Sequence, residues 1–114
     1  MAHPEPRLAA HSLSELAPKF IALSNEVLFA DVWERPGLSK RERSLITVAS
    51  LVSLYRQNEL PFHFKRALEN GLTKEEIVEA ITHLAFYSGW PTAATALNIA
   101  KSTFEAVAQE ASGS

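Results

Sequence analysis

Residues 58–72, NELPFHFKRALENGL, carry the clearest helix signals in the chain and lead to both its fold and its chemistry. Pro61 is tolerated only in the first turn of a helix, because its missing N–H would have no partner there. We therefore predict that the helix begins near Asn58, which is an acceptable N-cap. Gly71 ends it as the C′ residue.

This helix places an acid and a histidine on one face. Glu59 falls in the first turn, where the helix dipole favours negative charge. His63 follows four residues later, so the two side chains lie one turn apart. The apolar stripe beside them consists of Leu60, Phe64, Ala67 and Leu68.

Two segments with a common capping pattern, GLSKRE and GLTKEE, open the helices on either side. Ser39 or Thr73 is the N-cap, and a glutamate three residues later completes a capping box. The first helix, over 39–56, is apolar nearly all round, and we predict that it is the central buried helix. The second, over 73–88, ends at Gly89.

The remaining segments are also helical. Ser12 and Glu15 form a capping box that opens a short helix, and Pro18 starts another whose apolar residues recur at spacings of three and four. A last helix starts at Pro91 and carries small residues that allow close approach of another backbone: Ala93, Ala94, Ala96 and Ala100. No run alternates with period two, so the fold class is all-α, with about six helices.

The length of 114 residues suits one domain with a real core. We predict a flexible N-terminal leader over 1–11, a single helical domain over 12–110 and a flexible tail over 111–114.

Composition excludes several classes of function. The net charge is −2 and the basic residues are interleaved with acids, which argues against a nucleic-acid partner. The absence of cysteine excludes disulfides, thiolate metal sites and thiol catalysis. No segment has the ~20 apolar residues of a membrane helix, so we expect no membrane partner and a cytoplasmic location.

His63 and Glu59 are the best candidates for chemistry. A metal site is not predicted, because His63 and His83 lie on different helices without H-E-x-x-H spacing. A serine hydrolase is not predicted either, since G-x-S-x-G is missing. General acid–base catalysis needs only a histidine and a carboxylate beside an apolar pocket. The alternative is an ordinary helix-surface pair worth a few tenths of a kcal/mol.

Three stretches of the chain resemble the carboxymuconolactone decarboxylase family, which also contains the AhpD-type alkylhydroperoxidases. They are RPGLSKRERSL (35–45), ELPFHFKRALENGLTKEEI (59–77) and HLAFYSGWPTAATAL (83–97). The resemblance covers about residues 29–108. It implies an AhpD-like helical bundle that assembles into a homo-trimer or homo-hexamer, with a site near the helix that carries His63.

The chain departs from the peroxidase branch of that family. The two cysteines of its C-x-x-C motif are replaced by Arg56 and Glu59, and Ser44 stands where that branch has a glutamate. Neither arginine nor glutamate can reduce a peroxide. The chain is therefore similar to the decarboxylase-like branch, which lacks the thiol pair.

That branch implies a carboxy-lyase of aromatic catabolism that needs no cofactor and acts on a small carboxylated lactone or a related acid by decarboxylation or proton transfer. His63 would be the acid or the oxyanion donor, and Glu59 would orient it and set its protonation state. Arg56 or Arg43 would hold the second carboxylate of the substrate.

His83 and Tyr87 are further candidates for substrate binding, with packing at the helix boundary as the alternative. Because one fold can host several functions, a non-enzymatic small-molecule-binding or assembly protein of the same fold is the competing hypothesis.

Overall fold

The computed structural model describes residues 10–113, which contain six α-helices and no strand, so the all-α prediction is confirmed. The helices are α1 (Ala10–Leu16), α2 (Pro18–Leu23), α3 (Lys40–Ser53), α4 (Leu60–Glu69), α5 (Lys74–Ser88) and α6 (Trp90–Gly113). The chain divides into two compact units, with the boundary between Lys40 and Arg41. The single domain over 12–110 stays a prediction, and most of the predicted leader lies outside the described residues.

The first unit contains α1 and α2. Because α1 begins at Ala10, Ser12 lies inside the helix and is not its N-cap, contrary to the prediction. Pro18 stands in the first turn of α2, as predicted, where a missing N–H has no cost.

The helix after Pro18 was predicted to continue in regular α-form, but the structure changes to a π-helical segment over Ser24–Phe29. The Ala30 N–H donates to the Asn25 carbonyl at 3.0 Å, a bond that spans five residues. A 3₁₀ turn follows over Val32–Glu34 and contains Trp33, which is buried and stacks with Phe29.

The second unit holds the core to which α3, α4, α5 and α6 contribute. α6 packs along both α5 and α4. The buried apolar side chains come from all four helices and from the turn before α5: Val48, Val52, Leu60, Phe64, Ala67, Leu72, Ile77, Ile81, Ala93, Ala96 and Ala100. Burial of these side chains is the main stabilising contribution to the unit.

The prediction that α3 is a central buried helix is wrong for the single chain. α3 buries Ser44, Val48 and Val52 along one stripe. Ile46 is 55% exposed, and Leu54, directly after the helix, is 67% exposed, so apolar side chains outside this stripe are left uncovered.

The start of α4 also differs from the prediction. Asn58 lies within a 3₁₀ turn over Gln57–Glu59, and α4 begins at Leu60 with Glu59 in the N-cap position. Glu59 makes no side-chain capping bond. Pro61 lies in the first turn, as predicted. The carboxylate is therefore set one position outside the helix.

The turn between α4 and α5 has the glycine and the capping box that the sequence predicts. Gly71 has φ of +106°, a conformation that only glycine adopts without strain. Thr73 Oγ1 accepts from the Glu76 N–H at 3.0 Å, and the Glu76 carboxylate accepts from the Thr73 N–H at 2.9 Å. These two bonds confirm the capping box.

α6 begins one residue before the predicted Pro91 and continues to Gly113, so the chain is helical through most of the predicted tail. Three of its small residues, Ala93, Ala96 and Ala100, are buried, which lets neighbouring helices approach closely. Ala94 is exposed.

Candidate active site

His63 lies in the first half of α4 and is half-buried. Its Nδ1 atom is buried and has no hydrogen-bond partner. Its ring packs edge-on against Phe62, with ring centroids 5.0 Å apart. A buried polar atom without a partner costs free energy, and native proteins keep such atoms mainly where strain, catalysis or a bound molecule explains them. His63 is therefore a strong candidate for a functional group.

Three influences act on the pKa of His63. Burial lowers the pKa from its usual 6.5, because the imidazolium form loses solvation. The positive charge of Arg66 lowers it further, and the negative charge of Glu59 opposes both effects. The net shift is downward, so the neutral imidazole is the main form at neutral pH.

Glu59 pairs with Arg56 and not with His63. The Arg56 Nε atom lies 3.5 Å from Glu59 Oε1, and both side chains are about half-exposed. Within residues 10–113, no hydrogen bond or ion pair joins Glu59 to His63. Glu59 acts on the imidazole through its charge alone, so an orienting bond between the two stays a prediction.

The other predicted site residues lie on α3 and α5. Arg43 is half-buried in α3, and its Nε atom is removed from solvent. His83 and Tyr87 stack on the exposed side of α5 with ring centroids 4.9 Å apart. In the described part of the chain, no hydrogen bond, ion pair or ring contact joins this stacked pair to His63.

A polar cavity lies directly before α4. Its volume is about 300 Å³, and it is lined by Tyr55, Arg56, Gln57, Asn58 and Glu59. Two of the predicted site residues, Arg56 and Glu59, therefore share one cavity, and His63 follows one turn later on α4. The guanidinium and the two amides provide donors that suit a carboxylate.

A larger groove between α4 and α6 has a volume of about 680 Å³. Its walls are mostly apolar and include none of the predicted site residues. Lys65 and Glu110 are the charged residues on its walls, and they pair with each other at 3.4 Å. His63 lines neither cavity, but the smaller one contains Glu59, whose charge acts on the His63 imidazole.

Residues 10–113 contain neither a cluster of metal ligands nor a membrane-spanning helix. No three His, Asp or Glu side chains lie close enough together to hold a metal ion. No helix in that range is long and apolar enough to cross a membrane.

Comparison with known proteins identifies the family. Residues 18–102 match the sequence model of the carboxymuconolactone decarboxylase family. The chain belongs to this family. The match extends from α2 into α6 and contains every predicted site residue, so the resemblance seen in the sequence is confirmed.

Two similar proteins are named as decarboxylases. The chain is 35% identical over 94 residues to 4-carboxymuconolactone decarboxylase of Acinetobacter baylyi, covering 82% of this chain and 70% of that protein. It is 37% identical over 81 residues to nitrosuccinic acid decarboxylase of Metarhizium robertsii, covering 71% of this chain and 57% of that protein. An uncharacterized protein of Paracoccus denitrificans is 30% identical over 95 residues, with coverage of 82% and 71%.

Sequence reasoning missed two residues of the candidate site. Arg66 lies three residues after His63 and shifts its pKa, and helix spacing could have identified it. Tyr55 lines the polar cavity and adopts a positive φ. Its conformation could not be predicted from sequence, because left-handed positions are usually filled by glycine.

Proposed function

We propose that the chain is a carboxy-lyase that decarboxylates a small dicarboxylic acid without a cofactor. Membership of the carboxymuconolactone decarboxylase family and similarity to two proteins named as decarboxylases support this proposal. The observation that supports a particular site for this reaction is the half-buried His63. Its Nδ1 atom has no hydrogen-bond partner, its pKa is lowered, and it lies one turn from the polar cavity.

The two acids in those names have related chemistry. In 4-carboxymuconolactone and in nitrosuccinic acid, the leaving carboxylate can pass its electrons to an acceptor, the conjugated lactone carbonyl or the nitro group. Each molecule also carries a second carboxylate that can serve for binding. We infer that the substrate of this chain shares both features.

The proposed reaction has two steps. The bond between carbon and the carboxylate breaks, CO2 leaves, and the electron pair moves onto an oxygen of the acceptor, giving a dienolate or a nitronate. The imidazolium of His63 then gives its proton to carbon and recovers one from solvent. A second negative charge from the bound substrate favours the imidazolium, which compensates for the low pKa of His63 in the free protein.

The charged neighbours have supporting roles in this proposal. Arg56 releases Glu59 and grips the second carboxylate of the substrate, since guanidinium suits bidentate binding. Glu59 then raises the pKa of His63 through its negative charge. Arg43, His83 and Tyr87 are further candidates for contact with substrate. We also propose a homo-trimer or homo-hexamer in the cytoplasm, acting in aromatic catabolism.

A direct assay tests the proposal. Decay of 4-carboxymuconolactone and of nitrosuccinic acid is followed with the purified protein, and cumene hydroperoxide with a dithiol tests for peroxidase activity. We expect turnover of at least one of the two acids and no reduction of the peroxide, because the chain has no cysteine. Turnover of neither acid would favour the non-enzymatic alternative.

A variant of His63 tests the assignment of the site. His63→Ala should lower kcat/KM by about 10² to 10⁴, the usual contribution of a positioned acid or base. Lys65→Ala is the control, since it removes an exposed charge from the same helix. Equal activity of the His63 variant and the wild type would make the histidine a packing residue.

A further inference from the structure

Tyr55 has a backbone conformation that is unfavourable for its residue type. Its φ is +61°, and it is the only non-glycine residue with positive φ in the described part of the chain. A bulky side chain in this region is strained, because its Cβ approaches the carbonyl oxygen. Such strain persists where the surroundings fix the conformation, and it is concentrated at functional sites.

The hydrogen bonds at the end of α3 show why the left-handed conformation occurs. The Arg56 N–H donates to the Leu51 carbonyl at 2.8 Å, and the Tyr55 N–H donates to the Val52 carbonyl at 3.0 Å. This pair of bonds is the Schellman motif, with Tyr55 at the C′ position. Glycine is the preferred residue there.

The end of α4 provides a comparison within the same chain. The Leu72 N–H donates to the Ala67 carbonyl at 2.9 Å, and the Gly71 N–H donates to the Leu68 carbonyl at 3.2 Å. The motif is the same, but glycine fills its C′ position. Tyrosine at the end of α3 is therefore not required by the turn.

Packing within the single chain does not account for the tyrosine either. Tyr55 is 53% exposed, so its ring is not part of the core. It lines the polar cavity together with Arg56 and Glu59. Tyr55 is therefore a neighbour of Arg56, the residue that would bind the substrate carboxylate in the proposed function.

We propose that Tyr55 is a substrate-positioning residue, whose hydroxyl donates a hydrogen bond to the carboxylate gripped by Arg56. The inference rests on the proposed function, since it deepens the description of that site. Tyr55 would select acids that carry a second carboxylate. This contact explains why a strained tyrosine stands at the end of α3 instead of glycine.

Binding of succinate, a dicarboxylate that cannot undergo the proposed reaction, tests this role without turnover. Calorimetry compares the wild type with Tyr55→Phe and Tyr55→Gly. Loss of a hydrogen bond to a charged group should raise Kd by about 10- to 100-fold in both variants. Tyr55→Phe should keep the wild-type Tm, whereas Tyr55→Gly should raise Tm by about 4 °C by relieving strain.

Gly71→Asn is the matched control, since it changes the equivalent position at the end of α4, where an added Cβ would lie 3.8 Å from the Arg41 side chain, an ordinary van der Waals contact. It should lower Tm and leave Kd unchanged. Unchanged succinate binding in Tyr55→Phe, a lower Tm in Tyr55→Gly, or no binding to the wild type would overturn the role of Tyr55. Failure of the wild type to decarboxylate either acid would instead overturn the proposed function, because succinate binding does not depend on turnover.

Discussion

His63 receives opposing electrostatic influences from within its own helix and from the turn before it. Burial and Arg66 favour the neutral imidazole, and Glu59 favours the imidazolium. A pKa set by such a balance can move when a charged substrate arrives, which is useful for a group that must gain and then lose a proton.

Neutralising Glu59 and neutralising Arg66 should move the pKa of His63 in opposite directions. Glu59→Gln should lower the pKa further, because the opposing negative charge is lost, and Arg66→Gln should raise it towards 6.5. NMR titration of the His63 ring proton measures both shifts. Glu69→Gln, a change of an exposed acid on α4, is the control. If neither variant moves the titration, the charges do not act on His63.

Folding stability should depend on pH through the same histidine. The pKa of His63 is lower in the folded than in the unfolded chain, so the unfolded chain binds more protons around that pH. The stabilising effect is present above about pH 6.5 and is lost as pH falls through the folded pKa. Urea unfolding at about pH 7.5 and about pH 5.0 should show a steeper loss for the wild type than for His63→Leu. Parallel losses in the two proteins would contradict this expectation.

At the scale of single residues, the sequence could predict where a side chain lies on its helix but not which residue it contacts. Helix spacing correctly placed His63 beside an apolar stripe on α4. It could not show that Glu59 pairs with Arg56, because that contact depends on the 3₁₀ turn before the helix. The left-handed conformation of Tyr55 accompanies the Schellman motif that ends α3, and the sequence has no glycine there to predict it.

Helix ends in this chain could be predicted where a local residue type specifies them. The capping box at α5 and the glycine after α4 were predicted from residue type, since each has a local physical cause. The π-helical segment after α2 was not predicted, because an extra residue in a helical turn requires no particular residue type.

The capping box of α5 allows a quantitative test. Thr73→Ala should lower the free energy of unfolding by about 1 kcal/mol, since the Glu76 N–H loses its acceptor. Thr82→Ala is the control on the same helix, because its hydroxyl only bonds back to the Val78 carbonyl. Chemical denaturation of both variants at one protein concentration measures the difference. Equal stability of the two variants would show that the box contributes nothing.

The whole molecule has more apolar surface than one chain covers. Leu54 is 67% exposed, Phe86 is 75% exposed and Trp90 is 65% exposed. The Ser53 and Ser88 hydroxyls lie 2.7 Å apart, which brings the ends of α3 and α5 together. Exposed apolar residues that occur singly are normal, but several at one end of a small unit indicate an interface. Ile46 and Leu54, which the sequence predicted to be part of a buried helix, are exposed in the single chain, and contact with a second copy would cover them.

We therefore expect a homo-oligomer held partly by this surface, and the family resemblance implies three or six copies. Light scattering at micromolar concentration should give a mass that is a multiple of the 12.6 kDa chain. Phe86→Lys should weaken the assembly, because a charge would be buried without a partner, and Glu69→Lys on α4 is the control at an exposed polar position. Association stabilises the folded chain, so dilution of the variant should also lower its Tm. A wild-type species of 12.6 kDa that is stable and active would show that the exposed apolar surface has another purpose.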